Sequence, residues 1–392
     1  MNKLVRIQEE LCSCVVFRKV LEHPLFKAFN EYCLTRKLQD ALKAYSAFVS
    51  EIYEAGGNLT SLVERLVFED ENVYIKSVAA KREIDENIQD SVERELEILS
   101  KFASLKPKNF AKDMWLYMDE ISWFKSVKTD LVASYKNRIA NLHKYGYGIF
   151  SSVCMFRLSD DKKIEPIVSA DKISMAQFIG YEQEREKIVA NTRAFVEGRP
   201  AANALLCGDA GTGKSSTVKA VANAFFDEGV RLIELRKDQL RYLPLVMAKI
   251  SGNPLKFIIF IDDLSFNQNN DDFSMLKAAL EGSASATADN AVIYATSNRR
   301  HIVKESFGDR EGDDVHRNDT MQETLSLSER FGLTVLFSKP NKQLYLKIVK
   351  ELAKRAGITM DEKELEIQAE AFALRKGNRS ARCAEQFINS LL

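Results

Sequence analysis

Apolar positions along this chain follow two rhythms. In the first part they recur every three or four residues, as in Leu59, Leu62, Val63, Leu66 and Val67, and again in Ile84, Ile88, Val92, Leu96 and Leu99. That spacing lines one face of a helix. Pro24 and Pro107 bracket a stretch without proline, and Gly56-Gly57-Asn58 reads as a helix break and restart. Residues 1–150 are therefore expected to form a mostly helical domain. Trp115, Trp123 and Phe124, near its end, are expected in its core rather than as a ligand platform.

The second rhythm starts after a polar, loop-like stretch. Ser159 to Lys163 reads as loop and Glu165-Pro166-Ile167-Val168 as an extended connector, so residues 151–175 are expected to be a linker. Beyond it, short, mostly apolar runs alternate with helical segments. The runs are Ala204 to Cys207, Arg231 to Leu235, Phe257 to Ile261, Ala291 to Thr296 and Leu333 to Phe337. Helices are expected near 181–196, 214–227, 243–251 and 273–281. Strands apolar on both faces, alternating with helices, specify a parallel sheet covered on both sides. Residues 176–340 are thus expected to be an α/β domain, and 341–392, after Pro340-Asn341, a helical lid.

Composition narrows the classes. Of 392 residues, 56 are Lys or Arg and 56 Asp or Glu, so no net field draws the chain to nucleic acid or anionic membrane. No apolar run is long enough to span a bilayer, and the acids near the start are unlike a signal peptide. A cytoplasmic protein with no membrane association is expected. Cys12, Cys14, Cys33, Cys154, Cys207 and Cys383 lack zinc-site spacing and are expected to be reduced and buried.

The run Gly208-Asp209-Ala210-Gly211-Thr212-Gly213-Lys214-Ser215 matches the phosphate-binding loop, and it follows a strand pattern and opens a helix pattern. Glycines let consecutive N–H groups turn toward a phosphate, and the helix start adds its positive end. Lys214 is expected on the β- and γ-phosphates of ATP, and Ser215 on Mg²⁺. The strand Phe257 to Ile261 ends in Asp262-Asp263, where carboxylates face the ligand crevice of an α/β sheet. Asp262 is expected to serve the metal and Asp263 to orient or deprotonate the attacking water.

Several later segments resemble AAA+ proteins. Asn298, ending Ala295-Thr296-Ser297-Asn298, resembles a sensor that hydrogen-bonds the γ-phosphate or its water. Arg299, Arg300 and His301 follow, either at a subunit contact or as a solvated basic turn. Ser328-Glu329-Arg330-Phe331 resembles an arginine-finger segment. A finger of that kind acts on a neighbour's nucleotide, which implies a homo-oligomeric ring or spiral, with a hexamer among the options. Lys376 to Arg382 resembles the lid sensor, with Arg379 and Arg382 both eligible.

The resemblance extends to a bacterial family. Gly180-Tyr181-Glu182, Asn191-Thr192, Gly208 through Ser216, Leu232-Ile233-Glu234, Asp262 to Phe266, Leu280-Glu281-Gly282, Tyr294 to His301 and Ser326 to Gly332 together resemble the AAA+ family DUF815, over about residues 175–390. The resemblance implies an AAA+ fold with an ATP and Mg²⁺ site and assigns no substrate. It also places Gly180 and Tyr181 where AAA+ proteins contact adenine.

An ATP-driven remodeller or loader of a macromolecular client follows as the leading expectation, the helical domain choosing the client. A slow, nucleotide-gated regulatory module is the alternative, since Asp263 is one methylene shorter than the glutamate common at that position. A small-molecule kinase has no use for Asn298, Arg330 and Arg382. Tyr242 lacks the adjacent glycine of polypeptide-threading loops, and Arg236, Lys237 and Arg241 read as DNA contacts or as solvated charges.

Overall fold

The computed structural model describes residues 3–114, 122–167, 173–264, 276, 280, 288–298 and 330–392. They fall into two compact units, Met1–Ser152 and Val153–Leu392.

The first unit is helical. It contains α1 (Lys3–Cys12), α2 (Pro24–Leu34), α3 (Leu38–Glu54), α4 (Leu59–Glu69), α5 (Val73–Ala79), α6 (Glu86–Ala103), α7 (Pro107–Met114), α8 (Leu131–Ala140) and α9 (Leu142–Tyr145). Gly56 and Gly57 take positive φ between α3 and α4. Asn58 then restarts the helix by accepting from the N–H groups of Thr60 and Ser61 at 3.0 and 3.3 Å. Aromatic rings fill the centre: Phe29 meets Phe102 edge-on at 4.9 Å, and Phe48 lies 5.3 Å from Phe110.

Two expectations for this unit change. Phe124 is buried but Trp123 is 51% exposed, while Trp115 lies outside the described residues. Residues 122–124 belong to no helix, and extended backbone alternates its side chains, so neighbours cannot both face the core. The Trp123 carbonyl, rather than its ring, is engaged, by the Tyr53 hydroxyl at 2.6 Å. All six cysteines are free, but only Cys14, Cys207 and Cys383 are buried; Cys33 and Cys154 are half-buried, and Cys12 is exposed because the buried stripe of α1 is Leu4, Ile7 and Leu11.

The second unit is built on a seven-stranded sheet. Its strands are β1 (Met155–Leu158), β2 (Ile164–Pro166), β3 (Ala204–Gly208), β4 (Val230–Leu235), β5 (Lys256–Ile261), β6 (Ala291–Ser297) and β7 (Leu333–Phe337), in the order β2-β1-β4-β5-β6-β3-β7. All neighbours pair in parallel except β1 with β2. Every residue of β3 is buried, as is most of β4, β5 and β6, which explains their mostly apolar runs. The expected linker 151–175 is corrected in part. Residues 155–158 and 164–166 form a hairpin that extends the sheet beside β4. Its burial pattern is only partly apolar, as suits a sheet edge, and the strands are too short for periodicity to reveal.

Helices α10 (Glu182–Val196), α11 (Lys214–Ala224) and α12 (Leu243–Ile250) accompany the sheet. The helix expected near 273–281 lies almost wholly outside the described residues. After β7 come α13 (Lys342–Arg355), α14 (Glu362–Lys376) and α15 (Ala381–Asn389). They close on their own core around Tyr345, Val349, Leu365, Ala369 and Phe387. The strand order separates β3 from the acidic strand β5 by one intervening strand, β6. The unit is thus a mostly parallel α/β sheet with the glycine-rich loop at the turn from β3 into α11. No helix among the described residues is long and apolar enough to cross a membrane.

Candidate nucleotide site

Three loops meet at the carboxyl ends of β3, β5 and β6. The first joins β3 to α11. Gly208, Gly211 and Gly213 there all take positive φ, at +132°, +76° and +88°. A Cβ on Gly208 would sit 2.1 Å from the Phe337 carbonyl oxygen of β7, so only glycine fits. Thr212 Oγ1 ties back to Asp209 O at 2.9 Å. The loop thus closes on itself and opens α11 at Lys214.

Lys214 is buried, and burial pulls its ammonium below the usual lysine range. Its Nζ donates to Gly208 O at 3.0 Å, to Asp209 O at 2.7 Å and to Asn298 Oδ1 at 2.9 Å. The next side chain, Ser215, donates from Oγ to Asp262 Oδ1 at 2.6 Å. The loop lysine, the helix hydroxyl, the strand-end acid and the β6 amide therefore share one small volume.

The acid pair is held by β6. Thr296 Oγ1 donates to Asp262 Oδ1 at 2.5 Å and accepts from the Asp263 N–H at 2.9 Å. Asp263 takes a left-handed φ of 51°, an uncommon conformation for a residue other than glycine. Asn298 Nδ2 donates to Asp263 Oδ1 at 2.8 Å, and Lys237 Nζ lies 3.4 Å from Asp263 Oδ2. The two acids thus differ: Asp262 points toward Ser215, while Asp263 is gripped between Asn298 and Lys237.

The lid reaches the loop at a specific point. The Arg382 N–H lies 3.4 Å from Gly211 O. A Cβ on Gly211 would meet the Ser380 hydroxyl at 3.2 Å and the Arg382 Cβ at 3.3 Å. Arg379, by contrast, forms two hydrogen bonds to Glu370 on α14, at 3.0 and 2.8 Å. Of the two lid arginines, only Arg382 adjoins the phosphate loop.

Other expected residues fall elsewhere. Tyr181 is buried, its hydroxyl donates to Ser338 O at 2.6 Å, and burial pushes its phenol up to about 12. Gly180 packs against Leu344 of α13, and its carbonyl accepts from Arg185. Arg330 stands just before β7, near the strand end opposite the phosphate loop. The length of β7 alone separates it from that loop by roughly 13 Å. Arg299, Arg300, His301, Ser326 and Ser328 lie outside the described residues.

Sequence reasoning missed three participants. Thr296, two residues before Asn298 on a buried strand, is a polar anomaly whose role the pattern alone does not assign. Lys237, expected as a DNA contact or a solvated charge, pairs with Asp263, and Arg236 pairs with Asp160 and Asp238 at 2.8 and 3.2 Å, so both are engaged within the chain. Phe178 places its ring 3.8 Å from where a Gly213 Cβ would stand, under the Arg185 guanidinium at 5.0 Å. Nothing in the local pattern around Phe178 marks it.

Among solved structures the chain is similar to the Thermotoga maritima RuvB Holliday junction branch migration motor. The identity is 13% over 56% of this chain and 72% of that one, with a TM-score of 0.34. A point variant of the same motor gives 15% identity with the same coverage and TM-score. No curated protein matches the sequence. The family described as "Protein of unknown function (DUF815)" matches residues 151–392, and the chain belongs to that family.

Proposed function

We propose that this protein binds and hydrolyses ATP with Mg²⁺, and uses the cycle to remodel or load a macromolecular client. The observation that carries this reading is the 2.6 Å contact between Ser215 and Asp262, flanked by Lys214 and Asn298 2.9 Å apart. A hydroxyl and a carboxylate at that separation suit one octahedral cation completed by phosphate oxygens and water. The glycine-rich loop suits a β-phosphate, since the positive φ of Gly208, Gly211 and Gly213 lets consecutive N–H groups converge on an anion.

Each residue then has a task. Main-chain N–H groups of 208–215, Ser216 following them, grip the phosphates, and Lys214 places its ammonium between the β- and γ-oxygens. Ser215 and Asp262 would hold Mg²⁺, which when bound would supply charge neutralisation at the transferred phosphoryl group. Asn298 and Asp263, 2.8 Å apart, position the attacking water, and Asp263 accepts its proton. Arg382 covers the phosphates from the lid. Phe178 borders the loop at Gly213, where a base would lie, with Gly180 and Tyr181 supporting that region from behind through Leu344 and Ser338. Arg330 serves a neighbouring subunit's nucleotide, because its own loop is at the other end of β7.

A slow, regulatory cycle is the second reading. Its support is Asp263 itself: a short carboxylate held between Asn298 and Lys237 reaches less freely toward a water than an unpaired glutamate. Phosphate release measured on the full chain with and without Mg²⁺ tests both. Mg²⁺-dependent turnover that Lys214→Ala abolishes supports the ATPase. ATP binding with turnover slower than about one per minute supports the regulatory cycle. No ATP binding to the wild type ends both.

A further inference from the structure

A groove of about 640 Å³ opens on the helical unit, between the turn after α1 and the start of α5. Two exposed valines face each other across a lining that is otherwise mostly polar and charged. Val15 is 64% exposed on one wall and Val73 54% exposed on the other. Each wall is fixed from behind by buried polar groups. Glu95 of α6 is fully buried, and its carboxylate accepts from the N–H groups of Val15, Val16 and Phe17 at 2.8, 3.0 and 2.9 Å. On the opposite wall, buried Asn72 accepts from the Ile75 N–H at 2.9 Å and donates to Asp70 at 3.0 Å. Taking a carboxylate out of water costs several kcal/mol unless its lone pairs are satisfied. Here the satisfied carboxylate orders a turn whose Val15 faces solvent, which preforms a surface as well as a core.

The charges around the groove have one dominant sign. Arg18, Lys19, Lys76 and Arg82 line it against Glu22 and Glu71. Lys76 is spent on Glu71 at 3.1 Å. Among the described residues Arg18, Lys19 and Arg82 enter no ion pair within 4.0 Å. Two exposed valines with a net excess of cations at the lip complement a segment carrying aliphatic side chains between carboxylates. Single-stranded nucleic acid suits the groove less well, because its lining has no aromatic ring for a base to stack on.

We propose that this groove docks an acidic peptide segment of a partner protein. Two aliphatic anchors of the segment pack on Val15 and Val73, and its carboxylates pair with Arg18, Lys19 and Arg82. The proposal rests on the reading of the helical unit as the part that selects a client, and it needs no turnover at the nucleotide site.

Fluorescence anisotropy on the full chain tests it without nucleotide. The probe is a fluorescein-labelled peptide of glutamates interrupted by two leucines. The controls replace its glutamates with lysines or its leucines with alanines. Saturable binding of the first peptide alone is expected, weakening with salt and weakening roughly tenfold in Val73→Asp and in the Arg18→Glu, Arg82→Glu double variant. These positions are exposed, and circular dichroism confirms that the variants fold. No saturable binding, equal binding of all three peptides, or binding indifferent to the substitutions overturns the proposal. So does selective binding of single-stranded DNA that the same variants abolish. ATP turnover that persists in each of these cases separates a failed groove from a failed nucleotide site.

Discussion

Arg379 grips Glu370 through two hydrogen bonds, 3.0 and 2.8 Å long, and that pair within the lid leaves Arg382 as the arginine beside Gly211. Both residues belong to the same short stretch, yet the Arg379 guanidinium is committed to Glu370 while the backbone and Cβ of Arg382 adjoin Gly211. Arg382→Ala should lower kcat by about tenfold or more, because it removes a charged donor from the phosphates. Arg379→Ala should leave kcat within about threefold and act instead on the lid's own stability. Steady-state phosphate release for the two variants checks this, and the reverse ranking would reassign the roles.

Gly208 faces the backbone of β7 with no space to spare. Gly208→Ala puts a Cβ 2.1 Å from the Phe337 carbonyl oxygen at a φ of +132°. Both strain and overlap fall on a buried strand pair, so a loss of about 3 kcal/mol or more is expected. Urea denaturation followed in the α/β unit measures it. Gly252, also at positive φ but with open space around its added Cβ, is the control and should lose only about 1 kcal/mol as Gly252→Ala.

Arg330 and Asp263 can be tested in trans. Each single variant, Arg330→Ala or Asp263→Asn, should cut turnover, the first by about a thousandfold if it supplies a finger. Mixed subunits should recover part of it, since an Asp263→Asn subunit can lend its arginine to an intact neighbouring base. No recovery at any mixing ratio would confine Arg330 to its own chain.

Thr296 links both acids, so its hydroxyl should matter more than its size. Thr296→Val keeps the shape but leaves the Asp263 N–H without its 2.9 Å acceptor and Asp262 without one donor. A fall in kcat and a weaker dependence on Mg²⁺ are expected, whereas Thr296→Ser should retain most activity. Titrating Mg²⁺ at fixed ATP distinguishes the two.

Thiol reactivity should follow burial. Burial pushes the Cys154 thiol up to about 11 and that of Cys14 up to about 12. At pH 8 only about one Cys154 in a thousand is thiolate, and its alkylation should climb roughly tenfold per pH unit until about pH 11. Exposed Cys12 should react first in a peptide-mapped iodoacetamide time course at pH 8. Equal rates for Cys12 and Cys154 there would contradict the burial.

Much of this protein is local in origin. The strands β3 to β7 were legible because buried parallel strands need mostly apolar runs, and the phosphate loop because its backbone requires glycine at fixed positions. Asp262, Asp263 and Asn298 were legible as polar residues ending such runs, where the sheet's geometry leaves its crevice. Pairing across the fold was not legible. The grip of Lys237 and Asn298 on Asp263 and the service of Thr296 to both acids join residues distant in sequence, while the short hairpin of β1 and β2 and the choice of Glu370 by Arg379 are nearer but leave no periodic signal. A sequence carries the periodicity that places a side chain inside or out, but which buried groups then meet depends on strand order and register, and those exist only once the chain has packed.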